Sequence, residues 1–349
     1  MKAITPKTTS ENRNIWVDNI KVFACVLVVL GHFFKSMVAS QMISESYLYH
    51  WFVDTIYYFH VPLFFVCSGY LYQKYSCVNS FGSWGCNAFK KLVNLGIPYF
   101  VFSAITWILK NVFSGDVNIQ NNAGLLKTLL NQPLSPYWYL YTLMFIFLLT
   151  PTFSNKKMAF GSMVVAVAFK FIYIFIGEAS VYAVSSVLSN EIWFVLGMAL
   201  AFFEKPAWLQ GGKWKGIGVF GTIAFVSVSL LISWYKLETE WLSFVMGVWG
   251  CIVFLLVFMN FLFMDKCLRW LRGYTMPIFL MHTIFAAGLR SVLFRLGIEH
   301  MWIHLVLGMA ISMIGPIVAA MVMQPMRLDI LYTPGKYIRF KKRKVNGNG

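Results

Sequence analysis

The chain has 349 residues, of which 59% are hydrophobic and only 12% are charged. That composition excludes a soluble globular protein, because folded soluble domains carry roughly twice that share of charged residues. The net charge of +16 suggests a nucleic-acid ligand at first sight. The Lys and Arg residues, however, lie in short segments between long apolar runs and in the C-terminal tail, as in a multi-span membrane protein. We therefore expect the lipid bilayer, and no nucleic acid, as a partner.

The apolar runs predict an all-α, polytopic membrane helical bundle of about ten transmembrane helices with no soluble domain. Such runs are long enough to cross a hydrocarbon core of about 30 Å. They divide the chain into a cytosolic N-terminal segment over 1–16, a membrane domain over 17–323 and a basic cytosolic tail over 324–349. In chain order the predicted spans are 17–39, 52–72, 92–113, 136–153, 158–176, 181–203, 216–234, 240–263, 276–296 and 301–323.

The Lys and Arg residues divide unequally between the two sides of the membrane. Twenty-one lie in the N-terminal segment, in the loops that follow even-numbered spans and in the C-terminal tail, and six lie on the opposite side, in its loops or at the span ends that face it. Because cytosolic loops carry the excess of Lys and Arg, both termini are predicted to be cytosolic. The tail from Lys336 to Lys344 is expected to contact anionic lipid headgroups.

The first predicted span carries three ionisable residues, Asp18, Lys21 and His32. At about 100° per residue, Lys21 and His32 fall within roughly 20° of one helix face, and Asp18 lies within about 60° of both. About 16 Å along the helix axis separates Lys21 from His32. Charged residues within spans normally face a protein interior or a wet cavity. Two alternatives stay open: Lys21 reaches the headgroups along its own stem, and His32 lies in an interfacial belt.

The second predicted span contains His60, Pro62 and the pair Ser68-Gly69. Pro62 removes a backbone donor and frees a carbonyl that needs another partner. His60 lies near the middle of the span and is expected to face the same interior as the first span. The pair Ser68-Gly69 favours close helix packing or offers a hydroxyl to a ligand, and both roles stay open.

These two spans carry a specific combination of motifs. Asp18-x-x-Lys21 is followed after ten residues by His32, and the second span contains Phe59-His60-Val61-Pro62-Leu63-Phe64-Phe65 and then Ser68-Gly69. With these motifs the chain resembles the acyltransferase-3 family of membrane acyltransferases, in which an Arg usually occupies the position of Lys21. The Lys variant with His-x-Pro-x-Phe-Phe resembles the fucose 4-O-acetylase-like branch. Weaker matches along the chain are Lys91 with Pro98-Tyr99, Pro136-Tyr137-Trp138-Tyr139-Leu140, Glu191-Ile192-Trp193-Phe194-Val195-Leu196-Gly197 and Ile278-Phe279-Leu280-Met281-His282.

The resemblance implies transfer of an acyl group, usually acetyl from acetyl-CoA, to a hydroxyl of a sugar. Family members commonly modify surface polysaccharide, lipopolysaccharide, capsule or peptidoglycan. We therefore expect acetyl-CoA or another acyl-CoA as the donor substrate, a cell-surface or lipid-linked glycan as the acceptor, and no permanently bound cofactor. Residues that bind the substrates are expected at His60, Ser68, Lys90, Lys91, Trp138, Tyr139, Glu191 and His282.

The residues of the first span suit this chemistry on their own account. Acyl transfer needs a base to take the proton of the attacking hydroxyl, and His32 suits this because the ordinary pKa of histidine lies near neutrality. Coenzyme A is made in the cytosol and carries phosphates, so a cation such as Lys21 should meet it from that side. Lysine offers a point charge where arginine offers two parallel hydrogen bonds. Asp18 orients Lys21 or caps the helix start, and both roles stay open.

Other roles compete with these. Trp138 and Tyr139 fit an aromatic belt as well as a sugar path, and His282 fits a core position. A transporter or flippase of a lipid-linked or acylated glycan would use similar helices, but the two halves of the chain show no repeat. An inactive scaffold of a polysaccharide assembly complex is the third candidate function. No metal site is predicted, since Glu299, His300 and His304 lack a further ligand.

The charge asymmetry gives a testable topology. Alkaline phosphatase, which is active only outside the cytosol, should be inactive when fused after Gly349 and active when inserted at Glu178. Fusions of cytosol-active β-galactosidase at the same two positions are the control and should show the reverse pattern. Phosphatase activity at Gly349 would contradict the predicted orientation.

Overall fold

The computed structural model describes residues 14–76, 78, 80–113, 123–203, 209, 211–261 and 263–338. Within those residues the backbone is helical and contains no strand. Most of the predicted N-terminal segment, Cys77 and the end of the predicted tail lie outside the described residues. The helices are α1 (Ile15–Ala39), α2 (Tyr47–Tyr75), α3 (Phe81–Lys91), α4 (Ile97–Val112), α5 (Leu125–Leu130), α6 (Trp138–Leu149), α7 (Lys156–Ile176), α8 (Tyr182–Phe202), α9 (Gly212–Tyr235), α10 (Glu240–Asn260), α11 (Phe263–Leu268), α12 (Thr275–Arg295) and α13 (Met301–Met323).

Nine helical segments of the described chain are long and apolar enough to cross a membrane, and the apolar helix α6 is shorter. The predicted all-α bundle is confirmed, and the chain is a multi-pass membrane protein. The third of the nine segments covers Phe81–Val112. It joins α3, a π-helical turn at Leu92–Gly96 and α4, and it therefore begins well before the predicted span 92–113.

The fourth predicted span, 136–153, is replaced by the short helix α6. Its 12 residues cover about 18 Å, which is less than the roughly 30 Å of the hydrocarbon core. The proline ring clashes with the backbone of the residue before it, so Pro133 and Pro136 disfavour the helical conformation at Gln132 and Ser135. Ser135 and Pro136 line a cavity inside the bundle, as non-helical backbone at membrane depth must be enclosed by protein.

The helices divide into a core and a periphery. The most apolar parts of α2 and α8 are 67% and 61% buried, whereas those of α7 and α9 are 17% and 28% buried. Helix α1, at 50%, packs against α2, α10, α12 and α13. The ionisable residues of the first span therefore lie on a helix that the rest of the bundle surrounds.

The contact between α2 and α8 is the most extensive one between any two described helices. A Cβ on Gly69 would collide with the backbone carbonyl of Phe194, and a Cβ on Gly197 would collide with that of Val66. Lipid gives helices no hydrophobic drive to associate, so close packing at small residues holds membrane helices together. Of the two roles that the sequence leaves open for Ser68-Gly69, close helix packing is the role of Gly69.

The first part of the predicted basic tail folds onto the bundle. Asp329 is 1% exposed, and it accepts hydrogen bonds from Lys336, at 2.7 Å, and from Tyr337. Burial by itself raises the pKa of Asp329, but these two hydrogen bonds outweigh it and hold the pKa below its usual value. Residues 324–338 are thus part of the folded protein, and contact with lipid headgroups stays a prediction for the residues beyond them.

The glycine contact predicts a specific sensitivity. Gly69→Ala and Gly197→Ala should each destabilise the protein by about 1–3 kcal/mol, the usual cost of overpacking, because the atoms in the way belong to the backbone and cannot rotate aside. Thermal unfolding of the purified protein in detergent measures the effect. Gly161→Ala on α7 is the matched control, since a Cβ there meets open space. Equal unfolding midpoints for the three variants would refute the close contact.

Candidate active site

A cavity of about 360 Å³ opens among α1, α2, α6, α7, α8, α10 and α12. Four of the predicted site residues line it, namely His32, His60, Trp138 and Tyr139. The cavity joins residues from distant parts of the chain, and it combines imidazole, aromatic and carboxylate side chains. The predicted site residues outside its lining are Asp18, Lys21, Ser68, Lys90, Lys91, Glu191 and His282.

His32 presents its ring to this cavity from α1. Its Nε2 lies 3.5 Å from the hydroxyl of Ser135, at the long limit of a hydrogen bond. The ring centroid lies 5.4 Å from that of His282 on α12. His32 therefore faces the interior of the bundle rather than lipid, and no strong hydrogen bond within the described chain occupies its ring nitrogens.

His60 and His282 are each held by the backbone of their own helix. Nδ1 of His60 lies 2.6 Å from the carbonyl of Ile56, and Nδ1 of His282 lies 2.9 Å from that of Ile278. A carbonyl only accepts, so Nδ1 carries the proton in both rings and Nε2 is left as an acceptor. Nε2 of His282 is buried with no hydrogen-bond partner in the described part of the chain. Both rings are thus held in a fixed orientation with a proton on Nδ1.

Tyr139 closes the cavity at the end where α2 contributes Phe64. Its ring centroid lies 5.5 Å from that of Phe64 and 5.9 Å from that of Phe279. All three rings line the cavity, and we call them the cavity floor. The hydroxyl of Tyr139 donates to the carbonyl of Phe64 at 3.3 Å and accepts from the hydroxyl of Ser68 at 3.0 Å. Ser68 therefore contacts the floor from the side away from the cavity.

A cluster of lysines lies on that far side of the cavity floor. The titratable neighbours of Lys21 are Cys67, which precedes Ser68, and Asp18. Lys91 has Lys21 and Lys90 as its charged neighbours. The ammonium group of Lys91 lies 4.0 Å from the centre of the Phe147 ring, where a cation and a π-system attract each other. Lys21, Lys90 and Lys91, which we call the lysine cluster, thus form one basic region.

Asp18 lies in the first turn of α1, next to the lysine cluster, and does not occupy the capping position. Helix α1 begins at Ile15, and Asn14 occupies the capping position without a side-chain hydrogen bond. Of the two roles left open by the sequence, the geometry favours the electrostatic one, because Asp18 is a charged neighbour of Lys21. A nearby carboxylate also lowers the cost of holding an ammonium group within a span.

Glu191 lies apart from the cavity although its neighbours on α8 line it. Asn190 and Trp193 are part of the cavity wall. Glu191 instead accepts a hydrogen bond from the hydroxyl of Thr150, and its Oε2 has no partner among the described atoms. The role of Glu191 in substrate binding stays a prediction, and its contacts lie toward the end of α6.

The cavity also contains charged residues that the motif analysis does not select. Asp54, Glu238, Glu240 and Lys170 all line it. Lys170 has Glu240 as its charged neighbour and lies 3.4 Å from the hydroxyl of Ser189. The sequence could have identified Asp54 as a site residue, because an acidic residue inside a predicted span is expected to face the protein interior. The two glutamates lie in a loop and at a helix start, where the sequence gives no sign that they line the same cavity as Asp54.

The comparisons with known proteins agree with the resemblance. The profile of a family described as "Acyltransferase domain", the acyltransferase-3 family, matches residues 14–321. The nodulation protein NolL of Sinorhizobium fredii (strain NBRC 101917 / NGR234) is 31% identical over 150 residues. That match covers 42% of this chain and 38% of NolL, so this chain spans less than half of that relative. No solved structure matches the chain.

The hydrogen bonds of His60 and His282 predict that both rings carry their proton on Nδ1. Solid-state NMR of nitrogen-labelled histidines, with the protein in bilayers at neutral pH, should show a protonated Nδ1 and an unprotonated Nε2 for both. His60→Gln and His282→Gln assign the two sets of signals. His300→Gln, at an exposed position, is the control and should leave them unchanged. Protonation on Nε2 in either ring would contradict the observed backbone contacts.

Proposed function

The chain belongs to the acyltransferase-3 family, and we propose that it is a membrane O-acyltransferase with a cytosolic acyl-CoA donor. The transferred group is most simply acetyl, and the acceptor is a hydroxyl of a cell-surface or lipid-linked sugar. The enzyme acts in the inner membrane with both termini in the cytosol. The fucose 4-O-acetylase-like motif in the second span supports a sugar as the acceptor.

The observation that carries this proposal is the position of His32. Its ring lines the cavity, and its Nε2 has only the distant hydroxyl of Ser135 as a partner. A base must have a free lone pair within reach of the proton that it takes. His282 lies beside His32 and His60 lines the same cavity, and Nδ1 of each is bound to its own helix, so neither Nδ1 proton is donated to His32.

In the proposed reaction the acceptor oxygen attacks the carbonyl carbon of the thioester while its proton passes to His32. The carbon–sulfur bond breaks, and the coenzyme A thiolate leaves and takes that proton back. The acyl group ends on the acceptor oxygen, and His32 is neutral again. General-base catalysis of this kind contributes about 10²–10⁴-fold to the rate.

The donor is proposed to approach from the lysine cluster. Three lysines in one region supply positive charge for the phosphates of coenzyme A, and Asp18 orients Lys21. The helix positions of Lys21 and His32 differ by about 16 Å, which suits an extended pantetheine arm between the phosphates and the thioester. The cavity floor lies on that path, so the arm has to pass Tyr139. Ser68 and Tyr139 are the hydroxyl groups nearest to this passage.

Two variants separate the proposed roles. His32→Ala should lower turnover by about 10²–10⁴-fold with donor binding largely kept, because it removes only the base. Lys21→Ala should mainly raise the Michaelis constant for acetyl-CoA, because it removes a phosphate contact. The assay is transfer of labelled acetyl to endogenous acceptor in native membranes from a strain that lacks the gene and carries each variant. Mass spectrometry of the labelled glycan identifies the transferred group.

His300→Ala and Lys127→Ala are the controls, because both side chains are exposed and lie outside the cavity lining. They should match the unchanged protein in turnover and in donor affinity. If His32→Ala lost donor binding while turnover survived at saturating acetyl-CoA, His32 would be a donor contact rather than the base. Full activity of His32→Ala would refute the proposed mechanism.

A further inference from the structure

The cavity reverses the charge balance of the rest of the chain. The whole protein has 29 Lys and Arg residues against 13 Asp and Glu residues. Among the described residues that line the cavity, the carboxylates are Asp54, Glu238 and Glu240, and Lys170 is the sole lysine or arginine. An acidic cavity attracts a different class of ligand from the one that a basic region attracts. The polyanionic donor is proposed to bind at the lysine cluster, so the cavity suits another kind of molecule.

The carboxylates are only partly neutralised by the groups around them. Lys170 is the charged neighbour of Glu240. The charged and titratable neighbours of Asp54 are Glu238, His50 and Lys35. Of these, the ammonium group of Lys35 also contacts an aromatic ring, 3.7 Å from the centre of Tyr57. Glu238 makes no ion pair within the described chain.

Asp54 and Glu238 line the same cavity, and each lies within the electrostatic reach of the other. Two carboxylates side by side repel each other unless a proton or another positive group lies between them. An amino group can bridge such a pair, and a sugar hydroxyl can donate to either carboxylate in a charge-assisted hydrogen bond. A carboxylate or phosphate on a ligand would add a third negative charge at the same place.

An independent feature of the same cavity indicates a hydroxyl-bearing ligand. The side chain of His60 is 2% exposed and lines the cavity. Its Nδ1 is bound to its own helix, and its Nε2 has no hydrogen-bond partner in the described chain. This acceptor is reachable from the cavity, and a hydroxyl of a bound ligand would donate a hydrogen bond to it. Trp138 and Trp193 supply flat apolar walls next to it.

We propose that this cavity is a subsite for a sugar unit that is uncharged or carries an amino group, and that Asp54 and Glu238 exclude units that bear a carboxylate or a phosphate. The inference rests on the proposed function, because it assigns the acceptor class to the cavity in which His32 lies. Selection of this kind works through repulsion of the wrong ligand as well as attraction of the right one. The donor and the acceptor would then be sorted by charge on opposite sides of the cavity floor.

Three matched trisaccharides test the charge selection without any donor present. The probes are tri-N-acetylglucosamine, which is neutral, triglucosamine, which is cationic, and trigalacturonate, which is anionic. Binding to the purified protein in detergent is followed by tryptophan fluorescence, because Trp138 and Trp193 line the cavity. The neutral and cationic sugars should bind, and trigalacturonate should bind about tenfold more weakly or worse.

Variants of the carboxylates show whether they cause the discrimination. The double variant Asp54→Asn with Glu238→Gln should bring the affinities for the cationic and anionic sugars to within about threefold of each other. Glu238→Lys should favour trigalacturonate over triglucosamine, and it keeps the helices intact because Glu238 is an exposed loop residue. Glu299→Gln is the matched control, since Glu299 is exposed and lies outside the cavity lining. Thermal unfolding verifies that each variant is folded.

Equal binding of trigalacturonate and triglucosamine to the unchanged protein would overturn the proposal. So would unchanged discrimination in the folded Glu238→Lys variant, or the failure of all three sugars to bind. Since no donor is present, these results leave the acyl-transfer assay of His32→Ala unaffected. Charge-selective binding together with full activity of His32→Ala would instead refute the proposed reaction and keep the subsite.

Discussion

The backbones of α2 and α8 approach each other at Gly69 and Gly197, and the cavity depends on that contact. Helix α2 contributes His60 to the cavity wall, and α8 contributes Trp193. In a bilayer, van der Waals contact between closely packed backbones replaces the hydrophobic effect as the force that joins helices. Side chains at these glycines would move the two helices apart and would separate the walls on which the site is built.

Around this contact, hydrogen bonds to backbone carbonyls hold the rings of two histidines in place. The carbonyls of Ile56 and Ile278 fix the tautomers of His60 and His282, so a lone pair on each ring is left over. Unsatisfied acceptors in a low-dielectric interior cost free energy. Such a cost is tolerated where a substrate supplies the missing donor, and His32 lies within the same group of rings.

The cavity floor separates two regions of opposite charge. On one side Lys21 and its neighbouring lysines form a basic region, and on the other side Asp54 and Glu238 make the cavity acidic. A charged ligand is therefore attracted to one region and repelled from the other. Tyr139 lies at the boundary, bonded to Ser68 behind it and exposed to the cavity in front.

The sequence by itself determined the features that depend on neighbours along one helix. Hydropathy over a window of residues gave the spans, and the helical period put Lys21 and His32 on one face, because both are local properties. The tertiary structure alone decided what distant segments do together: the close approach of α2 and α8 at Gly69 and Gly197, the short helix α6, and the placement of Asp54 and two glutamates around one cavity. It also showed that Lys21 lies beyond the cavity floor. The sequence could not show this, because two residues on one helix face can still be separated by aromatic rings from neighbouring helices. These outcomes depend on packing between helices, which no periodicity within one helix encodes.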